Sequence, residues 1–317
     1  MKKLLMILSA ILMMALTVIA GDRVTVEIPT FDTGVNPDSW VLVPAGNFYK
    51  GQHNHVTSVP YDFEMMVTDV TNTQYAKYLN EALAKGTIKI VDGVVMGYYP
   101  GDPFHGYKHE FVIEEGDKLH LNLNERGLHV NYDGSSFSVE KGYENHPMVM
   151  VSWFGAVAYA DFYGWRVPTE IEWEKAARGT DQRVWPWGDE IGHGYANYYA
   201  SQDVYESIFG RMGGTTPVGF YNGKNYDGFQ TVDAKSPYGL YDMAGNVWQW
   251  TGDDKEHVHY RYMRGGSNGT YDYDLRVWMR NSAGPDYYSI NTGFRCARDV
   301  QKSDGTEVNQ VEQDTEK

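Results

Sequence analysis

Tyr238-Gly239-Leu240-Tyr241-Asp242-Met243-Ala244-Gly245-Asn246-Val247-Trp248-Gln249-Trp250 is the stretch whose reading decides the fold. Trp248 and Trp250 alternate with Val247 and Gln249, the pattern of a strand with one buried aromatic face. Gly245 precedes that strand, and Gly265-Gly266 follows it. Glycine reaches backbone conformations closed to other residues, so both places mark turns of special geometry.

Upstream, three helices announce themselves by their starts. Val70-Thr71-Asn72-Thr73-Gln74 places Thr71 and Gln74 at capping-box spacing, Tyr75, Tyr78, Leu79, Ala82 and Leu83 follow at helical intervals, and Gly86 stops the run. A second helix is expected from Ser152 to near Gly164. A third runs from Thr169, with Glu172 completing a second capping box, to near Gly179. Arg166-Val167-Pro168-Thr169 connects the two. Trp40-Val41-Leu42-Val43-Pro44-Ala45-Gly46 reads as a strand ending in a turn. Residues 88–145 alternate in polarity, with Asp133-Gly134 as a hairpin signal, and are expected to form an inserted small β-unit. Beyond Gly179 the chain is rich in Gly, Tyr and Trp and lacks long periodic segments. The class is therefore α+β, with few helices and much irregular backbone.

The composition narrows the function. Of 317 residues, 27 are Lys or Arg and 42 are Asp or Glu, giving a net charge of −15. A nucleic-acid binder needs a basic face to release counterions, so nucleic acid is not an expected partner. Docking on an anionic membrane is disfavoured for the same reason. Aromatics at 15% exclude disorder for most of the chain. The single cysteine, Cys296, leaves no partner for an intramolecular disulfide, a CxxC pair or a thiolate zinc cluster.

At the N-terminus, Lys2 and Lys3 precede an apolar run from Leu4 to Ala20, followed by Gly21-Asp22. A positive start, a short apolar core and small residues before a cut describe a secretory signal peptide, cleaved near Ala20. The run is at the lower limit for spanning a bilayer and no basic cluster follows, so no stable span is expected after cleavage. The expected organisation is a signal peptide over 1–20, an extended lead-in over 21–39, a domain over 40–299 and a disordered tail over 300–317. Localisation is then secreted or periplasmic.

Several stretches together make the chain resemble the formylglycine-generating enzyme (sulfatase-modifying factor) family, a variant of the C-type lectin fold. They are Val43-Pro44-Ala45-Gly46-Asn47-Phe48, Asp69-Val70-Thr71-Asn72-Thr73-Gln74-Tyr75, His146-Pro147-Met148-Val149-Met150-Val151-Ser152-Trp153 and Trp165-Arg166-Val167-Pro168-Thr169-Glu170-Ile171-Glu172-Trp173-Glu174. Then follow Trp187-Gly188, Ala196-Asn197-Tyr198, Thr216-Pro217-Val218-Gly219, the opening stretch, Arg264-Gly265-Gly266-Ser267 and Gly293-Phe294-Arg295-Cys296-Ala297. They occur in family order outside the insert.

The resemblance implies specific chemistry, and the chain departs from it. Members that make formylglycine carry two cysteines, five apart, just after Gly-Gly-Ser, and these bind Cu(I), a soft ion that needs soft ligands. Here that stretch is Ser267-Asn268-Gly269-Thr270-Tyr271-Asp272-Tyr273-Asp274-Leu275-Arg276, without cysteine. No Cu(I) is expected, no catalytic residue carries over, and Cys296 reads as a buried structural thiol. The implied cleft would offer Tyr271, Asp272, Tyr273, Asp274, Arg276 and Trp278 to a peptide, glycan or protein ligand. Arg280 is expected to pair with a buried acid. The resemblance also implies structural Ca²⁺, a hard ion held by oxygens. One set would be Asn197, Asp203 and the carbonyls of Tyr198 and Tyr205. Another would be Asn246, the carbonyl of Val247 and Gln249, weakened because the family usually has Glu at that last position.

Two readings remain open. One is a non-catalytic exported relative that binds or scaffolds. The other is an exported oxidoreductase acting on a peptide or small metabolite through a different metal, for which His53/His55 and His257/His259, each spaced H-x-H, are candidate ligands. Convergence of those four rings would favour the second.

Overall fold

The computed structural model describes residues 28–108, 110–211, 214–254 and 259–300. The expected signal segment, His109, His257 and the tail from 301 lie outside the described residues.

Trp40–Val43 forms β1, Gly46–Lys50 β2, His55–Val59 β3 and Phe63–Met66 β4. β1 runs antiparallel to β4, and β2 to β3. Asn72–Lys85 is α1. Thr71 Oγ1 accepts from the Gln74 amide at 3.2 Å, while Gln74 Oε1 accepts from the Thr71 amide at 2.9 Å. Both orphan donors of the first turn are thus satisfied. Gly86, at φ 72°, closes the helix in the left-handed region.

The inserted unit is β throughout. Ile88–Val91, Val94–Tyr99 and Gly116–Asn122 form β5, β6 and β7, an antiparallel three-stranded sheet. Val130–Tyr132 and Phe137–Val139 form β8 and β9, a hairpin. Asp133 makes its turn by accepting the Ser135 and Ser136 amides, both at 2.8 Å. Val95, Leu121, Val130 and Phe137 turn inward and join the core that contains Tyr75, Tyr78 and Leu79 of α1.

Trp153–Phe162 is α2, capped by Ser152, and Glu170–Arg178 is α3, with Thr169 and Glu172 as its capping box. Arg166 grips the Glu172 carboxylate with two N–H groups, at 2.7 and 2.8 Å. A short α4 covers Glu206–Phe209, and Asn225–Tyr226 and Phe229–Gln230 form the hairpin β10–β11. Trp248–Asp254 is β12, Arg261–Arg264 β13, Arg280–Ala283 β14, Thr292–Gly293 β15 and Ala297–Asp299 β16, with a 3₁₀ turn at Asp272–Leu275. The second large sheet has the order β14-β13-β12-β15, its last pair parallel. β16 returns to pair antiparallel with β4, giving the order β1-β4-β16.

The stretch around β12 departs from the alternation expected of it. Val247, Trp248, Gln249, Trp250 and Thr251 are all buried. Over residues 248–251 neither face of the strand meets solvent, and at Gln249 it is paired on both edges. Gln249 therefore sits inside, where Trp173 Nε1 and Arg295 Nε donate to its Oε1 at 2.7 and 2.8 Å. The glycine before the strand has a clear cause: Gly245 has φ 81°, and a Cβ there would lie 2.3 Å from the Asn197 carbonyl oxygen. Only glycine fits both conditions.

Candidate functional site

Glu170 and Glu174 stand one turn apart on α3, which places both carboxylates on one face. Four cations from four places in the sequence meet them. Lys50 Nζ of β2 lies 3.3 Å from Glu170, and Arg280 of β14 lies 3.4 Å from it. Arg264 of β13 pairs with Glu174 and lies 3.5 Å from Glu170. Arg178, one turn further along α3, lies 3.2 Å from Glu174 and donates to the Tyr49 carbonyl at 2.7 Å. Burial alone would raise the Glu170 pKa, but Arg264, Lys50 and Arg280 outweigh it and hold the carboxyl below its usual range. Burial lowers the Arg178 pKa; Glu174 opposes that and nearby Arg264 adds to it.

This group borders a cavity of 460 Å³ whose walls include Gly51, His55, Glu170, Trp278 and Arg280. Within the cluster, four cationic side chains face Glu170 and Glu174, and the Asp253 carboxylate accepts the Glu170 amide. Arg264 and Arg178 are fully buried, while the Lys50 and Arg280 side chains are 31% and 48% exposed, so the two cations that reach solvent are at the mouth.

The cleft expected after Gly-Gly-Ser is partly assembled. The Arg276 guanidinium lies 4.6 Å from the Tyr273 ring and 5.9 Å from that of Trp278, which lines the cavity just described. Tyr271 and Tyr273 are well exposed, and Tyr271 packs on Tyr199 with ring centroids 4.8 Å apart. The Asp272 carbonyl accepts from Trp185 Nε1 at 3.3 Å. Asp274 is half-buried, and burial pushes its carboxyl up, with neighbouring Asp272 adding to the shift. Arg280 pairs with the nearly buried Glu170, as expected of it. Lys50, Glu170, Glu174, Arg178 and Arg264 were not singled out as site residues by the sequence. Only the Glu174–Arg178 spacing carried a signal, that of a helical ion pair.

The two sets expected to hold calcium are tied up internally. Asp203 accepts four hydrogen bonds, from the Tyr205 and Glu206 amides at 2.8 and 3.0 Å, from Ser201 Oγ at 2.7 Å and from the Tyr221 hydroxyl at 3.0 Å. Tyr198 and Tyr205 spend their carbonyls on the Ser201 amide and on those of Ile208 and Phe209. Asn197 Nδ2 donates to the Gly214 carbonyl at 3.1 Å and to Asn246 Oδ1 at 3.4 Å, and Asn246 Oδ1 also takes the Thr216 amide at 3.0 Å. A carboxylate has about four lone-pair sites, and those of Asp203 are filled. Asn246, Val247 and Gln249 fit a cation no better, because Gln249 Oε1 faces the Arg295 guanidinium. In this structure these residues serve as turn and core acceptors.

The histidines do not converge where described. His53 and His55 are neighbours, ring centroids 6.2 Å apart, and His55 borders the cavity beside Trp278. His259 borders a different cavity of 300 Å³ with Asp102, Phe111, Trp153 and Arg261. Cys296 is fully buried, and burial raises its thiol pKa well above the ordinary value.

Residues 27–300 match the family described as "Sulfatase-modifying factor enzyme 1-like domain". The formylglycine-generating enzyme of Thermomonospora curvata is 38% identical over 183 residues, 49% of this chain and 56% of that one. The inactive C-alpha-formylglycine-generating enzyme 2 of Bos taurus is 36% identical over 170 residues, 50% of this chain and 52% of that one. The chain thus spans about half the length of these curated relatives. Among solved structures, PvdO from Pseudomonas aeruginosa superposes with a TM-score of 0.54 at 21% identity, covering 82% of this chain and 94% of that one, a likeness of fold.

Proposed function

Because this chain belongs to the sulfatase-modifying factor enzyme 1-like domain family, we propose that it uses the family scaffold as an exported binding protein and does not carry out copper–thiolate oxidation. One observation carries this reading. Cys296 is the only cysteine and has no exposed surface. Holding Cu(I) on thiolates and activating oxygen toward a substrate thiol needs two sulfurs facing a cleft. A lone buried thiol, kept protonated by its surroundings, supplies neither a ligand pair nor a nucleophile.

What the chain offers a partner is Tyr273, Arg276 and Trp278, with the guanidinium over both rings between an exposed surface and the cavity. Aromatic faces and a planar guanidinium suit a peptide or a glycan.

The test is an aldehyde assay on a Cys-x-Pro-x-Arg peptide, run with the copper-loaded protein under oxygen. No formylglycine is expected. Its appearance would overturn the reading. Export has a separate test: the mature protein recovered outside the cytoplasm should begin at Gly21.

A further inference from the structure

We propose that the cavity bordered by Lys50, Trp278 and Arg280 is an oxyanion-binding site, taking a carboxylate or phosphate group on a ligand that lies against the Trp278 indole. This deepens the binding reading by naming what the cavity accepts. It does not depend on whether the protein is also a catalyst.

The argument begins with charge. The chain as a whole carries −15, yet at this place Lys50, Arg178, Arg264 and Arg280 meet Glu170 and Glu174, with a third carboxylate, Asp253, accepting the Glu170 amide. Asp181, the next acid along the chain from Arg178, is held by Arg183 at 2.6 Å. Four cations against these three carboxylates leave a surplus of one positive charge. A surplus with no task would be disfavoured, since like charges held together repel, and burial weakens their screening.

Geometry says where the surplus is available. Glu174 is fully engaged: it meets Arg178 and Arg264 and accepts the Gly51 amide at 2.5 Å. Glu170 touches Lys50, Arg264 and Arg280 at 3.3 to 3.5 Å, separations longer than a close charge-assisted bond. An ammonium has three donors and a guanidinium five. Lys50 and Arg280 therefore retain N–H groups beyond Glu170, and both are partly exposed at the cavity. Arg280 is steadied from behind by the Tyr262 ring, 4.9 Å from its guanidinium carbon. Trp278 Nε1 is buried without a hydrogen-bond partner, and the same side chain lines the cavity. A volume of 460 Å³ admits a ligand of monosaccharide or dipeptide size.

Titration of the full chain, followed by tryptophan fluorescence and calorimetry, tests this. Sodium glucuronate, inorganic phosphate and neutral glucose are the probes. Saturable binding of glucuronate is expected, with none for glucose. Phosphate binding with equal strength would assign the recognition to the anion alone, and weaker phosphate binding would assign it to a carboxylate on a ring. Lys50→Gln and Arg280→Gln, both at exposed side chains, should each weaken binding roughly tenfold, the scale of one charge-assisted hydrogen bond. Affinity should fall as sodium chloride rises, and Trp278→Phe should remove the fluorescence change. Unchanged melting temperatures would show that the variants fold. Absence of saturable binding, or binding that both charge variants leave intact, overturns the proposal. Aldehyde formation in the peptide assay would sink the non-catalytic reading and leave this titration untouched.

Discussion

Asn246 sits at φ 60°, fully within the left-handed region, and its amide side chain bonds to both the amide and the carbonyl of Thr216. Gly245 beside it presses on the Asn197 carbonyl. Two consecutive left-handed residues turn the chain sharply into β12, and the polar bonds hold that turn. Gly245→Ala adds both a disfavoured φ and a backbone clash, so a loss of about 2–4 kcal/mol is expected in urea unfolding. A variant as stable as the parent would show that the turn relaxes freely. At the other end of the core, Cys296 has no exposed surface. Its thiol should react with a bulky disulfide reagent only at the rate of unfolding. A fast reaction in native buffer would mean that the β16 edge opens far more often than its packing implies.

At the scale of elements, the helix starts were legible because caps are local. Thr71 with Gln74 and Thr169 with Glu172 lie three residues apart, and each pair closes its turn without distant partners. Thr71→Ala and Thr169→Ala should each cost about 1 kcal/mol, read from the shift in urea midpoint at constant slope. The hairpin at Asp133 was equally readable, for the same reason. The burial of both faces of β12 over residues 248–251 was not, since alternation in sequence reports one wet face and these residues have none. The charged cluster was hidden for a different reason. Arg264 and Arg280 reach α3 across 90 and 110 positions, and no spacing rule spans such distances. Asp203 and Gln249 likewise meet donors that the sequence does not place beside them. Their type and motif suggested ligands, but the donors that fill them lie on other segments, such as Tyr221 and Arg295. Treating the protein with a chelator should accordingly leave its melting temperature unchanged, and a drop restored by calcium would contradict the hydrogen-bond assignment.

For the molecule as a whole, acid stability is set by buried groups. Burial pushes His146 down to about 3 and His120 down to about 4. An unfolded chain protonates both near 6.5, so it binds more protons than the native state between those values. Their contribution to stability is present above pH 6.5 and is lost as pH falls toward 4, up to about 3 kcal/mol for each. Asp242, pushed up to about 6, and Asp69, pushed up to about 8, both by burial, titrate with the opposite sign in overlapping ranges. The comparison is therefore between the parent and His146→Asn: the parent's melting temperature relative to the variant's should fall as pH drops below 6.5, and parallel curves would refute the assignment. The topology carries one more consequence. β16, at Ala297–Asp299, is an edge of the sheet that begins with β1 at Trp40–Val43, and Arg295 clamps the carbonyls of Met66, Val67 and Tyr241. A growing polypeptide cannot complete that sheet before residue 299 has left the ribosome, so the first strand of the domain waits for the last residues made before its sheet is whole.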